Sequence, residues 1–304
     1  MKQEIAFIGL GRMGLAMSTL LTEKGFTIHT YNRSEEPRKE AEKVGIKPYD
    51  SAVAAIGALP EGKRTVWLMV TAAAVDDVIA EIKPSLKPGD TIIDGGNSFF
   101  KDSNHRALEL TKDEINFIDV GTSGGMEGAR HGASVMVGGT AESFAEHEHI
   151  FKALATEDGY ARVGGPGAGH FVKMVHNGIE YGMMGALAEG LNTIENPPEG
   201  IEVDVMAALN PYEHGSIITS NLMSWLADSY RTEGYLDAIA GEVPKGETEG
   251  EMEYLEAEHD MPVLNAALDQ RRATRTNPSR VGTLISAMRN QFGGHKTIAK
   301  KTGE

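Results

Sequence analysis

Residues 4–24 read EIAFIGLGRMGLAMSTLLTEK: an apolar strand over 4–9, then Gly9-Leu10-Gly11-Arg12-Met13-Gly14 without a break, then a helical run to about Lys24. A GxGxxG triplet alone carries little information, since a chance glycine turn looks the same. Set between a strand and a helix it has a physical logic. The glycines permit a tight turn, let a pyrophosphate approach the backbone and allow the helix to pack closely, while the helix N-terminus supplies an anion site. Gly9, Gly11, Arg12, Met13 and Gly14 are therefore candidate contacts to a dinucleotide.

Working outward, the pattern repeats. A second strand at 27–31 ends in Asn32-Arg33-Ser34, where an NAD-preferring fold carries Asp or Glu for the ribose 2′-hydroxyl. A neutral Asn32 leaves room for a 2′-phosphate that Arg33 and Ser34 can bind, which points to NADP, with NAD as the alternative. Further strands are expected at 65–70, 91–94, 116–120, 134–137 and 160–163, with helices over 74–82 and through Leu110. Such alternation predicts an α/β fold, an N-terminal Rossmann doubly wound sheet, whose ligands lie at the carboxyl ends of the strands. Val70 and the loops 95–98 (with Asn97) and 121–125 (with Ser123, Gly124 and Gly125) fall at such ends, where glycines let backbone N–H groups face a carboxylate.

After Gly169 only helical patterns remain, giving an all-α C-terminal domain. The expected division is 1–165 for the dinucleotide domain and 166–304 for the substrate and dimerisation domain. Helices are predicted near 204–209, 216–231, 251–272 and 279–291, with a loop over 241–249. Glu146-His147-Glu148-His149 invites a metal reading, but consecutive residues spread around a helix, so a solvated surface helix without metal is expected.

The chain has 304 residues, enough for about two domains, with 44 acids against 29 bases and a net charge of −15. That balance disfavours nucleic acid and anionic membrane surfaces as partners. An anionic substrate would need a local concentration of Lys and Arg. With no cysteine, disulfides, thiol nucleophiles and iron–sulfur clusters are excluded. The first apolar run, 5–10, is too short to span a membrane and lacks a signal-peptide pattern, so a cytoplasmic protein is expected.

The stretch 164–191, GGPGAGHFVKMVHNGIEYGMMGALAEGL, reads from Ala168 as a long helix with no proline until Pro197-Pro198. Lys173, His176, Asn177, Glu180 and Tyr181 form one polar stripe on otherwise apolar turns. The same spacing also fits the solvated edge of an amphipathic helix. Yet a lysine buried on such a helix needs a partner or a lowered pKa, which is how a general base is made. Beside a dinucleotide fold, Lys173 would take a hydroxyl proton, and Glu180 offers a second acid/base further along a substrate. Two such groups fit a reaction with two separate proton transfers.

The run from Gly169 to Gly182, GHFVKMVHNGIEYG, closely resembles decarboxylating 6-phosphogluconate dehydrogenase. So do Gly9 to Gly14, Ile92-Ile93-Asp94-Gly95-Gly96-Asn97-Ser98, Ser123-Gly124-Gly125 and Arg289-Asn290-Gln291-Phe292-Gly293-Gly294-His295. The resemblance spans nearly the whole chain and looks like the short form of that family. It implies a reaction without metal: Lys173 as base for the 3-hydroxyl, loss of carbon dioxide from the 3-keto acid, and protonation of the enediol by Glu180 to give ribulose 5-phosphate. By the same resemblance Asn97, Ser123, Gly124, Gly125, His176 and Asn177 hold the sugar acid, Tyr181 and Arg271 face its phosphate, and Arg289 and His295 sit on a tail reaching a neighbouring subunit of a homodimer.

One region departs from the pattern. Where the family places a basic residue and a threonine against the phosphate, this chain reads Glu249-Gly250-Glu251-Met252-Glu253, and acids there repel a phosphate ester. Lys245 is a possible substitute, and an unphosphorylated aldonate an alternative substrate. A β-hydroxyacid dehydrogenase shares the glycine loop, Ser123-Gly124-Gly125 and a lysine followed four residues later by asparagine, but not the continuation to Glu180. A nucleotide-sensing protein without turnover would have no use for both Lys173 and Glu180.

Overall fold

Strands buried on both faces are rich in apolar residues, and the computed structural model, which describes residues 3–300, shows this for the strands over 4–8 (EIAFI) and 65–68 (TVWL). In order it contains β1 (Glu4–Ile8), α1 (Arg12–Glu23), β2 (Thr27–Tyr31), α2 (Glu35–Lys43), β3 (Lys47–Pro48), α3 (Ala52–Gly57), β4 (Thr65–Leu68), α4 (Val75–Ile82), β5 (Thr91–Asp94), α5 (Phe100–Thr111), β6 (Asn116–Ser123), α6 (Gly125–His131), β7 (Ala133–Gly138), α7 (Ala141–Leu154) and β8 (Ala155–Gly164). Helices follow: α8 (Ala168–Glu195), α9 (Val205–Glu213), α10 (Asn221–Arg231), α11 (Tyr235–Ala238), α12 (Glu249–Glu258), α13 (Pro262–Ala273) and α14 (Arg280–Gly293). The chain divides into two units between Lys173 and Met174, inside α8.

In the first unit the described strands form one sheet in the order β3-β2-β1-β4-β5-β6-β7-β8. All pairings are parallel except β6 with β7, where Asp119 faces Gly138 and Ser123 faces Ser134. A parallel return needs a crossover of a dozen or more residues. Only the short α6 separates β6 from β7, so the chain turns back beside itself. Alternate side chains then feed two cores. Phe7, Trp67, Ile93, Ile118 and Phe151 lie in one, and Ala6, Ile8, Val66, Leu68, Ile92 and Phe117 in the other. Phe7 stacks on Trp67 with ring centroids 5.9 Å apart.

Several local expectations are corrected. Elements α2, β3, α3, α6 and α11 were not anticipated: α2 is EEPRKEAEK, too charged to show an apolar period, and β3 has two residues. The helix expected over 216–231 starts at Asn221, where the Ser220 hydroxyl accepts from the Met223 N–H and caps it. The single helix expected over 251–272 is two. Pro262 suits the first turn of a helix better than its interior and pushes the preceding residue out of the helical region, and Met261 has φ −128° and ψ 67°. Three residues of the 146–149 run are exposed, as a solvated helix requires, and one is not. Glu146 pairs with Lys63 at the surface, whereas His147 is buried, its Nδ1 donating to the Ser143 carbonyl oxygen at 2.8 Å and its Nε2 accepting from Thr65 at 3.1 Å. Helix α8 is not uniformly buried either: Ile179 and Met183 are exposed on it.

Candidate active site

In the first unit the three glycines of the opening motif have three different reasons to be glycine. Gly9 has φ +104°, a region that side-chain-bearing residues avoid. A Cβ on Gly14 would strike the Gly9 carbonyl, so α1 packs directly on the strand end. A Cβ on Gly11 would meet nothing within 4 Å. Open space over Gly11, and an α1 N-terminus with no side-chain cap, leave the first N–H groups of the helix to an anion. These are the features a dinucleotide pyrophosphate requires, and the residues present fit one. Arg12 is exposed at this end, while Met13 turns back to pack on the first core.

Asn32 has a structural task that the sequence did not show. Its Oδ1 accepts from the Leu10 N–H at 2.9 Å and its Nδ2 donates to the Ser34 carbonyl at 3.1 Å, so it braces the glycine loop against the end of β2. Arg33 and Ser34 are exposed beside it, at the start of α2. Among the described residues no acid stands at the end of β2 itself.

Three strand ends converge here. The Val70 side chain lies against Gly9, and its carbonyl lies where a Cβ on Gly96 would be. The Gly95–Ser98 loop wraps the buried Asp94 carboxylate, which accepts from the Gly96 N–H at 3.1 Å and the Ser98 hydroxyl at 2.7 Å. His170, in the first turn of α8, then holds that loop from the other side. Its Nε2 lies 3.1 Å from the Gly96 carbonyl oxygen and its Nδ1 2.7 Å from Ser103 Oγ. A carbonyl only accepts, so Nε2 carries the proton and Nδ1 accepts from Ser103. Asn97 is carried on this braced loop.

The start of α8 is fixed by Asp119 on β6, whose two carboxylate oxygens accept from the Gly167 and His170 N–H groups at 2.6 and 2.9 Å. A carboxylate at a helix N-terminus is favourable for both its hydrogen bonds and the helix dipole. Lys173 follows one turn later, its stem against Gly121, where a Cβ would collide with it. The lysine is half-buried rather than buried. Its Cβ and Cγ occupy the room that Gly121 leaves by having no side chain. Ser123 ends β6, and Gly124 (φ +120°) and Gly125 (φ +62°) open α6 next to it.

The second unit holds the remaining candidates. Asn177 is buried, with Oδ1 3.3 Å from His176 Nδ1, and the same His176 nitrogen lies 3.9 Å from Glu180 Oε2. Tyr181 is buried, its hydroxyl 3.0 Å from Thr248 Oγ1. Its ring lies under Arg271, whose guanidinium carbon is 3.3 Å from the ring centroid, a cation–π contact at close range. Arg271 is 3% exposed. Burial pushes its pKa down to about 10, with Arg289 adding to the fall and Tyr181 and Glu180 opposing it. It is still a cation at neutral pH, and its Nε, fully buried, has no hydrogen-bond partner among the described residues. Arg289 is buried within this unit, donating from Nη1 to the Pro244 carbonyl at 2.8 Å, and His295 packs edge-on to Phe292.

Two features here escaped the sequence reading. Thr248, one residue before the acidic run, is the threonine that meets Tyr181, and two of the run's three acids are paired with cations. Glu249 pairs with both terminal nitrogens of Arg275 and lies 4.0 Å from Arg272. Glu253 pairs with Arg272 at 3.4 Å and Lys245 at 3.7 Å. The expectation that these acids confront a phosphate is thus corrected for both. Among the described residues no group of three or more His, Cys, Asp or Glu is placed to hold a metal ion, and no helix is long and apolar enough to cross a membrane.

Comparison with known proteins agrees with this fold. The family model for the NAD-binding domain of 6-phosphogluconate dehydrogenase matches residues 4–165, and that for the C-terminal domain of 6-phosphogluconate dehydrogenase matches residues 169–199. The chain is 36% identical over 299 residues to YqeC of Bacillus subtilis, named provisionally as a 6-phosphogluconate dehydrogenase, covering 98% of this chain and 100% of that protein. It is 34% identical over 303 residues to the NAD(+)-dependent, decarboxylating 6-phosphogluconate dehydrogenase of Haloferax volcanii, covering 98% and 99%. Among solved structures it is similar to the 6-phosphogluconate dehydrogenase of Plasmodium falciparum, studied in its apo form, with NADP+ and with 6-phosphogluconate. That match has a TM-score of 0.79 and 29% identity, over 99% of this chain and 67% of that one. The 3-hydroxyisobutyrate dehydrogenase of Mycobacterium tuberculosis shares the fold, with a TM-score of 0.71, 18% identity and coverage of 95% and 100%.

Proposed function

The chain belongs to the 6-phosphogluconate dehydrogenase family, and from that premise we propose that it oxidises and decarboxylates 6-phosphogluconate to ribulose 5-phosphate and carbon dioxide, with NADP preferred and NAD the alternative. Arg271 carries the phosphate part of this reading. A buried guanidinium with an unpartnered Nε is costly unless an anion meets it, and a phosphate ester offers both charge and acceptors in the geometry a guanidinium prefers. Tyr181, Thr248 and Arg289 supply further donors nearby, and the pairing of Glu249 with Arg275 and of Glu253 with Arg272 weakens the repulsion that argued for an unphosphorylated aldonate.

When bound, the nicotinamide dinucleotide supplies the two-electron acceptor. Gly11, Arg12 and the free end of α1 hold its pyrophosphate, with Arg33 and Ser34 at the ribose. In the reaction Lys173 takes the proton of the 3-hydroxyl as C3 is oxidised. The 3-keto acid then releases its carboxylate as carbon dioxide, and the electron pair of the broken bond passes into an enolate whose oxygen the lysine ammonium stabilises. Glu180 protonates the adjacent carbon of the enediol. Lys173 and Glu180 lie seven residues apart on α8, two turns and about 10 Å along one face, so each addresses a different part of the sugar acid. Asn97, Ser123, Gly124, Gly125, His176 and Asn177 orient that acid, and His295 completes the set in this reading. A cytoplasmic homodimer belongs to the same proposal, since Ile179, Met183 and the neighbouring Val263 leave an apolar face exposed on the second unit that a second copy would cover.

An assay with 6-phosphogluconate and with gluconate, each with NADP and NAD, following cofactor reduction and carbon dioxide together, tests the reading. Equal reduction and carbon dioxide with 6-phosphogluconate is expected. Activity on gluconate alone would discard the phosphate, and reduction without carbon dioxide would move the chain to β-hydroxyacid chemistry.

A further inference from the structure

We propose that Glu249 is a positioning residue for substrate phosphate: clamped by Arg275 and Arg272, it fixes the start of α12 so that Thr248 meets Tyr181 and the cradle under Arg271 is formed. The inference rests on the function proposed above and adds a residue whose charge is opposite to what a phosphate site calls for.

The geometry is local and complete. Glu249 is the first residue of α12 and is 3% exposed, a rare location for a carboxylate unless it is paired. Its two oxygens meet the two terminal nitrogens of Arg275, a fork-to-fork arrangement that fixes direction as well as distance. Arg275 is anchored in turn, its Nε donating to the Val243 carbonyl at 3.3 Å. The Thr248 side chain does not cap α12. Its oxygen is turned instead to the Tyr181 hydroxyl at 3.0 Å, and the ring of that tyrosine is the floor beneath Arg271. The clamp thus reaches the guanidinium with the unpartnered nitrogen through one peptide bond, one hydrogen bond and one aromatic ring.

Charge balance makes a carboxylate the right group. Arg271, Arg275 and Arg289 are all drawn into this part of the unit, and like charges in a desolvated region repel strongly. Glu249 offsets that repulsion with its own oxygens committed to Arg275, so it leaves the open nitrogen of Arg271 to the substrate. Burial pushes the Glu249 carboxyl up, but Arg275 above all, with Lys245 and Arg272, holds it below the ordinary carboxylate range.

The test compares Glu249→Gln and Arg275→Met with Glu249→Asp and Arg275→Lys. Two readouts are taken: KM and kcat for 6-phosphogluconate, and the equilibrium dissociation constant for inorganic phosphate by calorimetry, which needs no turnover. We expect the first two variants to weaken phosphate binding and raise KM for 6-phosphogluconate by roughly tenfold or more, the loss of one charge-assisted interaction. Their KM for the dinucleotide should stay unchanged, and Glu249→Asp should recover part of the loss. Wild-type phosphate affinity in Glu249→Gln overturns the inference, as does an equal rise in both substrates' KM. Should the wild-type protein bind inorganic phosphate, lose that binding in Glu249→Gln, and yet fail to turn over 6-phosphogluconate, the positioning role stands and the proposed substrate falls.

Discussion

Replacing Gly121 by alanine asks whether the lysine is held where its chemistry requires. The new methyl would lie 2.4 Å from the Lys173 Cβ and 2.9 Å from the Gly169 carbonyl oxygen, whereas ordinary contact begins at 3.4 Å. The Gly169 carbonyl has little room to yield, because Gly169 is itself pressed against the Asp119 and Met136 carbonyls. Lysine is left to move, by about 1 Å, the gap between 2.4 and 3.4 Å. A catalytic group displaced by about 1 Å loses on the order of 100-fold in rate, or about 2.7 kcal/mol of barrier. Overpacking at such a site costs about 1–3 kcal/mol of stability, a fall of several degrees in Tm for a unit of this size. We expect kcat for oxidation to drop about 100-fold with KM for the dinucleotide unchanged, since Gly9, Gly11 and Asn32 are untouched. Steady-state kinetics and thermal unfolding on the same sample decide it. A full kcat in a variant whose Tm has fallen would show that the methyl is absorbed elsewhere and that Gly121 does not set the lysine.

Three further outcomes follow from the same geometry. Lys173→Met should lower cofactor reduction by roughly 10²–10⁴-fold, while Glu180→Gln should retain oxidation better than carbon dioxide release and product protonation; single-turnover measurement of both products separates the two. Arg33→Ala should shift the ratio of kcat/KM for NADP over NAD toward NAD by roughly tenfold or more, the worth of one charge-assisted contact to a 2′-phosphate, and an unchanged ratio would remove Arg33 from cofactor choice. Burial holds His147 below the ordinary imidazole value of 6.5, so the folded state keeps it neutral while the unfolded chain takes up a proton. Stability from this site is therefore intact above about pH 6.5 and lost as pH falls below it. His147→Gln should flatten that part of a Tm profile taken from about pH 8 to about pH 5.

What could be read from sequence was what repeats or what glycine marks. The strands at 27–31 and 91–94 coincide with β2 and β5, because β-branched and aromatic residues dominate both: Thr, Ile, Thr and Tyr in the one, Thr, Ile and Ile in the other. The opening glycines were legible for the same kind of reason: each position forbids a side chain or leaves room for a ligand. The braces were not. Asp119 and His170 bond to residues 48 or more positions away in the chain, and Asn32 reaches back 22 positions to Leu10 as well as to nearby Ser34; no local pattern encodes the distant pairings. The acidic run at 249–253 misled for a related reason, since charge counted along the chain says nothing of Arg272 and Arg275 packed against it. Pro262 did carry a local signal, and its rule explains the break between α12 and α13.

The spacing of Lys173 and Glu180 on α8 constrains how that helix can vary in descent. A helix advances about 100° per residue, so one residue gained or lost between them turns the two side chains to different faces. Loops such as those around residues 197–203 and 214–219 absorb insertions at little cost, but the seven-residue interval in α8 behaves as a ruler with no tolerance. Lineages derived from this chain should differ freely in its connections while keeping that interval invariant, even where the residues inside it change.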